Sequence, residues 1–251
     1  MCLIAIAYRV SERFPLVIAA NRDEDYERPS LPAEFWPHAP DVIGGRDAVA
    51  GGSWLAITLQ GRFAAVTNLR GAQPSTKSRG RLVSDFVTSP LDPRTYAQSI
   101  SPQDYAGFHL LVGSPQAIEY VTPDGHSPFR PGIDALTNAP NPERWPKADV
   151  AVAAMGRALA LDDPQDELLR FLSTPLGTGA VESEVFIASE RYGTRASTVI
   201  VCTPEWIHFV ERSFGRGGVE MTTSTAGVHP APGVGRQGDR RTRRGTSARV
   251  R

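Results

Sequence analysis

Cys2 is the residue with the most chemistry on offer. Removal of Met1 ahead of its small side chain leaves an α-amine and a thiol on one residue. In model compounds such an amine titrates at about 7.7 to 8.0 and a thiol at about 8.5, so the two can exchange a proton near neutrality. That is a nucleophile with its base attached. On position alone, the simpler reading is a small apolar residue opening a buried strand.

Register raises the interest of that position. Residues 2–8 and 14–20 are apolar runs on either side of Arg9-Val10-Ser11-Glu12-Arg13, the pattern of a β-hairpin. A turn centred on Ser11 and Glu12 sets Cys2 opposite Asn21, within a residue or two, so Asn21-Arg22-Asp23-Glu24 is expected beside the thiol. There Arg22 favours the thiolate, and Asp23 holds the α-ammonium or steers its proton. Most charge runs of this kind are solvated loops with local ion pairs.

Three further polar residues are candidates. Residues 53–59 and 62–68 flank Gln60-Gly61 as a two-residue hairpin, which opposes Asn68 to Ser53 at a strand end. Beside Gly51-Gly52 the backbone can approach a ligand closely, and an amide there can donate to an oxyanion, a contribution of roughly 3 to 4 kcal/mol. Asn138, ahead of Ala139-Pro140, suits an Asx-turn as well as a site. Arg195 opens a strand after Gly193, as a site or a surface residue. Cys202 reads as core, His109 as a hydrogen-bonded structural residue, and Trp36, Trp54, Trp145 and Trp206 as packing anchors.

The elements that must position these residues are mostly antiparallel hairpins. Two more pairs are 108–113 with 117–122 and 197–202 with 206–211. Helical spacing covers 81–88, 93–100, 145–161 and 165–172, the last two divided by Asp162-Asp163-Pro164 as stop and cap. Both faces of the first hairpin are apolar, so layers must cover its sheet on both sides. Hairpins with segregated helices make this an α+β layered fold rather than a doubly wound parallel sheet.

With 251 residues, 41% of them hydrophobic, the chain can bury one substantial core. Its 27 basic and 27 acidic side chains balance, so no global field directs it to nucleic acid or an anionic membrane. From 216 to 251, however, eight Arg face only Glu220 and Asp239, with no aromatic residue. That composition predicts a domain over 1–215 and a disordered Arg-rich tail over 216–251; nucleic acid is not an expected partner except through that tail, whose simpler reading is a solvated extension. The start has no signal-peptide pattern and no run reaches the roughly 20 apolar residues of a membrane span, so a cytoplasmic protein is expected. Two cysteines and five scattered histidines form no ligand motif. Neither metal nor cofactor is expected.

Met1-Cys2-Leu3-Ile4, Ala20-Asn21-Arg22-Asp23-Glu24 and Arg28-Pro29 resemble the signature opening of the NRDE family, also called the transport and Golgi organisation 2 family. Further pieces recur in order: Gly44-Gly45-Arg46-Asp47, Gly51-Gly52-Ser53-Trp54-Leu55, Thr67-Asn68-Leu69-Arg70, Ser78-Arg79-Gly80, the stretch 107–113, Leu136-Thr137-Asn138-Ala139, Trp145-Pro146-Lys147, the stretch 192–198 and Glu211-Arg212-Ser213-Phe214. The family in turn resembles cysteine N-terminal-nucleophile amidohydrolases, which implies a four-layer αββα sandwich and a processed Cys attacking an amide. The resemblance assigns Arg22 and Asp23 to the second strand, Asn68 and Asn138 to amide roles at the oxyanion site, and Arg195 to the late-strand Arg. The adjacent Arg22-Asp23 spacing differs from that of the hydrolases. A small amide or lactam is the implied substrate. Links of the family to haem trafficking and lipid homeostasis leave a second reading, a carrier of haem or another hydrophobic ligand in the same pocket. A third is a scaffold acting through the basic tail.

Overall fold

A computed structural model describes residues 2–73 and 75–228. The apolar runs form β1 (Cys2–Tyr8) and β2 (Leu16–Asp25), joined by a loop in which the Arg9 N–H donates to the Pro15 carbonyl. Around them a sheet assembles in the order β10 (Gly132–Leu136), β1, β2, β11 (Tyr192–Cys202), β12 (Ile207–Phe214), β13 (Glu220–Val228). The second sheet runs β3 (Ser30–Trp36), β4 (Ala39–Asp47), β5 (Leu55–Thr58), β6 (Phe63–Asn68), β7 (Phe108–Gly113), β8 (Ile118–Thr122), β9 (Gly125–Pro128). Every ladder between these strands is antiparallel.

Period-2 alternation sorts each strand between two cores. From β1 and β2, Ile4, Ile6, Ile18 and Ala20 meet Leu55, Phe63, Ala65 and Leu111 of the second sheet. Their alternate neighbours Leu3, Ala5, Val17 and Ala19 pack against Ala151 and Met155 of α3 (Pro146–Ala158) and Leu168, Leu169 and Leu172 of α4 (Gln165–Leu172). On the far side, α1 (Gly80–Thr88) and α2 (Pro93–Ser99) bury Leu82, Phe86 and Tyr96 against Ala64, Leu110 and Val112. Two sheets face to face with helices outside each make the α+β layered fold read from the sequence, in the αββα form that the family resemblance implied.

Local chemistry sets the helix starts. Asp92 accepts from the Arg94 and Thr95 N–H groups, both at 3.0 Å, with Pro93 in the first turn. Asp163 accepts from the Gln165 N–H at 2.9 Å.

Cys2 pairs with Arg22, inside the residue or two about Asn21 that the sequence allowed, the connecting loop not being centred on Ser11 and Glu12. Two expectations need correction. In the β5–β6 hairpin Leu55 pairs with Ala65, one residue off. Its turn spans Thr58 to Arg62, with Gly61 at φ +81° and Thr58 N–H bonded to the Arg62 carbonyl, so it is longer than two residues. Lastly, a disordered tail from 216 is overturned for 220–228. That Thr-rich segment is β13, paired to β12, with Ala226 and Val228 against the inter-sheet core. Strand formation there needs β-propensity and an open neighbouring edge rather than a buried face of its own. Residues 229–251 lie outside the described residues.

Candidate active site

Where β1 begins and β6 ends, a cavity of about 560 Å³ opens between the sheets. Its wall includes Cys2, Arg22, Asp23, Asn68, Trp54 and Arg79. Four of the six candidate residues therefore reach it or its floor directly, and Asn138 reaches it through Cys2. The Asn138 side-chain oxygen accepts from the backbone N–H of Cys2, while its amide nitrogen donates to the Asn68 carbonyl. Asn138 is buried, and its own carbonyl accepts from the Arg70 N–H at 2.9 Å.

Pairing with Cys2 sets Arg22 on the inter-sheet face of β2. Its guanidinium lies over the Trp54 ring at 4.5 Å, donates to the Ser30 hydroxyl at 3.2 Å, and stands 3.6 Å from both Glu24 and Asp47. Arg22 is 6% exposed, and a buried guanidinium requires such compensation.

Asp23 projects from the opposite face of the strand. It accepts from the Thr194 hydroxyl at 2.8 Å. Burial pushes its carboxyl above the usual carboxylate range, against the charges of Lys147 and Arg22 and the Thr194 bond, among others. Lys147, on α3, is completely buried. Burial lowers its ammonium from the usual lysine range, and the charges of Asp23 and Cys2 pull it back. A cation in the first turn of a helix opposes the helix dipole, so its position answers to Asp23 rather than to α3.

Two expected members stand elsewhere. Asn21 faces α4, donating to the carbonyls of Leu172 and Val185 at 2.8 and 2.9 Å and accepting from Ser197. The one-residue register difference turns it from the thiol. Arg195 occupies a bulge between Thr194 and Ala196. It donates to the carbonyls of Asp25, Tyr26, Arg28 and Phe214 at 3.1 to 3.2 Å, and so braces the turn that carries Arg28. Arg195 is absent from the cavity wall, because the bulge re-aims its side chain.

Arg79 and Lys147 are the residues that sequence reasoning passed over, each noted only inside a motif. For Lys147 the signal was a lone ammonium among the apolar positions of α3. For Arg79 it was the flanking Gly80, whose backbone crosses Gly52 so closely that a Cβ on Gly52 would lie 2.3 Å from the Gly80 carbonyl carbon. His109 is structural as expected, bonded to the Ala139 carbonyl and the Tyr120 hydroxyl at 2.8 and 2.6 Å.

The arrangement of two sheets face to face between helices has counterparts among solved structures. A conjugated bile acid hydrolase from Clostridium perfringens, solved as a mutant, superposes over 91% of this chain and 92% of its own with a TM-score of 0.52 at 7% identity. That likeness concerns the fold, which is the N-terminal-nucleophile hydrolase type. Among the described residues, no helix is long and apolar enough to cross a membrane. In sequence, the Transport and Golgi organization protein 2 homolog of Bos taurus is 31% identical over 256 residues, covering 85% of this chain and 93% of its own. The Homo sapiens homolog is 30% identical over 258 residues with the same coverage. Residues 1–216 match the sequence model of Transport and Golgi organisation 2, and the chain belongs to that family.

Proposed function

We propose that the protein is an N-terminal cysteine amidohydrolase acting on a small amide or lactam. The observation that carries this reading is the bond from the Cys2 backbone nitrogen to the Asn138 side-chain oxygen, at the head of a strand that opens into a cavity. After loss of Met1 that nitrogen is the α-amine. Asn138 holds it beside the thiol of the same residue, where it accepts the thiol proton. The sulfur then adds to the substrate carbonyl carbon, and the Asn68 amide donates to the resulting oxyanion. Collapse breaks the C–N bond, the departing nitrogen takes the proton back from the α-ammonium, and a thioester remains on Cys2. Water, deprotonated by the same amine, releases the acid. Arg22 supplies positive charge on the thiol's face of β2, and the buried side chains of Asp23 and Lys147 lie behind it.

A carrier of haem or another apolar ligand would be served by an apolar wall, whereas this wall holds Arg22, Asp23, Glu24, Arg28, Asp47, Lys77 and Arg79. Hydrolysis is therefore the better reading. Intact-mass analysis of the Met1-free protein, exposed to a panel of amides and lactams, tests it: one acyl group on Cys2 is expected. Retained Met1, or acylation only at Cys202, would overturn it.

A further inference from the structure

Four cations line the cavity, and three of them are neutralised by carboxylates. Arg28 sits 2.7 Å from Asp47, and Arg22 stands 3.6 Å from Glu24 and Asp47. Lys77 meets Asp104 at 2.6 Å. Arg79 has no ion-pair partner among the described residues, and its guanidinium donates only to the Gly107 carbonyl, at 3.1 Å. A guanidinium has five N–H donors, so most of this fork has no protein acceptor among the described residues, and Arg79 lines the cavity.

The fork is also held firmly. The Gly107 carbonyl that accepts from Arg79 accepts from the Leu69 N–H as well, which ties it to the strand end carrying Asn68. On the other side, the Ser53 N–H donates to the Gly80 carbonyl at 3.1 Å, at the close backbone crossing of Gly52 and Gly80. Three separate chain segments thus fix one arginine without taking its charge. Burial lowers Arg79 from the usual arginine range, with the charge of Cys2 acting in the other direction, so the two groups are within electrostatic reach.

We infer that Arg79 is the anion receptor of the cavity, and that the molecule meeting Cys2 carries a carboxylate. A planar guanidinium held by its flanks presents the paired donors that match a carboxylate. One unneutralised side-chain charge suits a monoanion better than a phosphate dianion. The inference deepens the hydrolase reading by giving its amide substrate a second, anionic group.

Alkylation of Cys2 tests the receptor without requiring turnover. Iodoacetate carries the carboxylate and iodoacetamide is its neutral counterpart. The ratio of their rates at Cys2, followed by peptide mass analysis, is expected to exceed the ratio for free cysteine by about tenfold, and to fall with rising salt. Arg79→Gln should return the ratio to that of free cysteine, with the iodoacetamide rate and the thermal midpoint reporting that fold and access survive. Arg79→Lys, which keeps the charge but not the fork, should give an intermediate ratio. A ratio unchanged by Arg79→Gln would overturn the inference. So would equal slowing of both reagents, which marks Arg79 as a group that only stabilises the thiolate, and so would stronger protection by inorganic phosphate than by acetate. Because alkylation needs no amide cleavage, a biased ratio without acylation sinks only the hydrolase reading, and acylation without a biased ratio sinks only the receptor.

Discussion

Cys2 and Asn138 divide the work of the proposed site, one supplying bond-making atoms and the other holding the base in reach. Cys2→Ser preserves size, α-amine and hydrogen bonding but exchanges the thiol for a poorer nucleophile. We expect turnover to fall by orders of magnitude with substrate dissociation constants nearly unchanged, the signature of an interaction made in the transition state. Single-turnover kinetics with equilibrium binding check it, and full activity of the Ser variant would remove Cys2 from catalysis. Asn138→Ala acts differently, since it strips partners from both the Cys2 nitrogen and the Asn68 carbonyl in a buried setting. Unsatisfied buried groups cost about 1 to 3 kcal/mol each. Urea denaturation should show a loss of that order, accompanied by slower acylation of Cys2.

At the scale of elements, a close backbone crossing bears on the site and an added edge strand bears on the sandwich. Gly52→Ala drives a methyl into the Gly80 backbone, and because neither segment is a flexible side-chain end, one must shift. Overpacking of this sort typically costs about 1 to 3 kcal/mol, and the displaced α1 start should loosen Arg79. We expect a lower urea midpoint and a reduced preference of Cys2 for iodoacetate over iodoacetamide. The second element is β13, which closes the open edge of β12 and adds Ala226 and Val228 to the inter-sheet core. Truncation before Glu220 should therefore melt several degrees below truncation after Val228. Equal melting temperatures would mean that β13 contributes nothing to the sandwich.

For the molecule as a whole, the charges inside the sandwich govern how stability responds to pH. Glu211 is buried between the sheets, accepting from the Ala33 N–H and the Thr198 hydroxyl, both at 2.8 Å. Burial raises its carboxyl from 4.5 to about 7, against the pull of those bonds and of Arg22. A raised folded-state value means that the native protein holds its proton longer than the unfolded chain. The contribution is thus complete below pH 4.5 and is lost as pH rises towards about 7. Over that window the loss is on the order of 3 kcal/mol. Asp23 acts with the same sign, so Glu211→Gln isolates the first group: its stability profile should lack this part of the decline. Chemical denaturation of both proteins from pH 4.5 to 8 provides the comparison, and parallel profiles would show that Glu211 does not titrate there.

Apolar runs with period-2 alternation were enough to identify the hairpins, because which face a strand residue takes is a local property. The helices over 81–88 and 165–172 were legible for a similar reason. Strand β3 was not legible: as an edge it tolerates Pro32 and keeps an exposed, irregular pattern. Register was the next loss. One residue more in a loop exchanges faces along a whole strand, which is how Asn21 left the site and Arg22 joined Cys2. The remaining members could be assigned only by long-range pairing. Arg195 is turned away by a bulge formed against β2, Lys147 arrives on a helix 124 positions after Asp23, and Arg79 is fixed by backbone from Gly52 and Gly107. Each of these contacts is made between segments distant in the chain, and local preference carries no information about such partners until the sheets close.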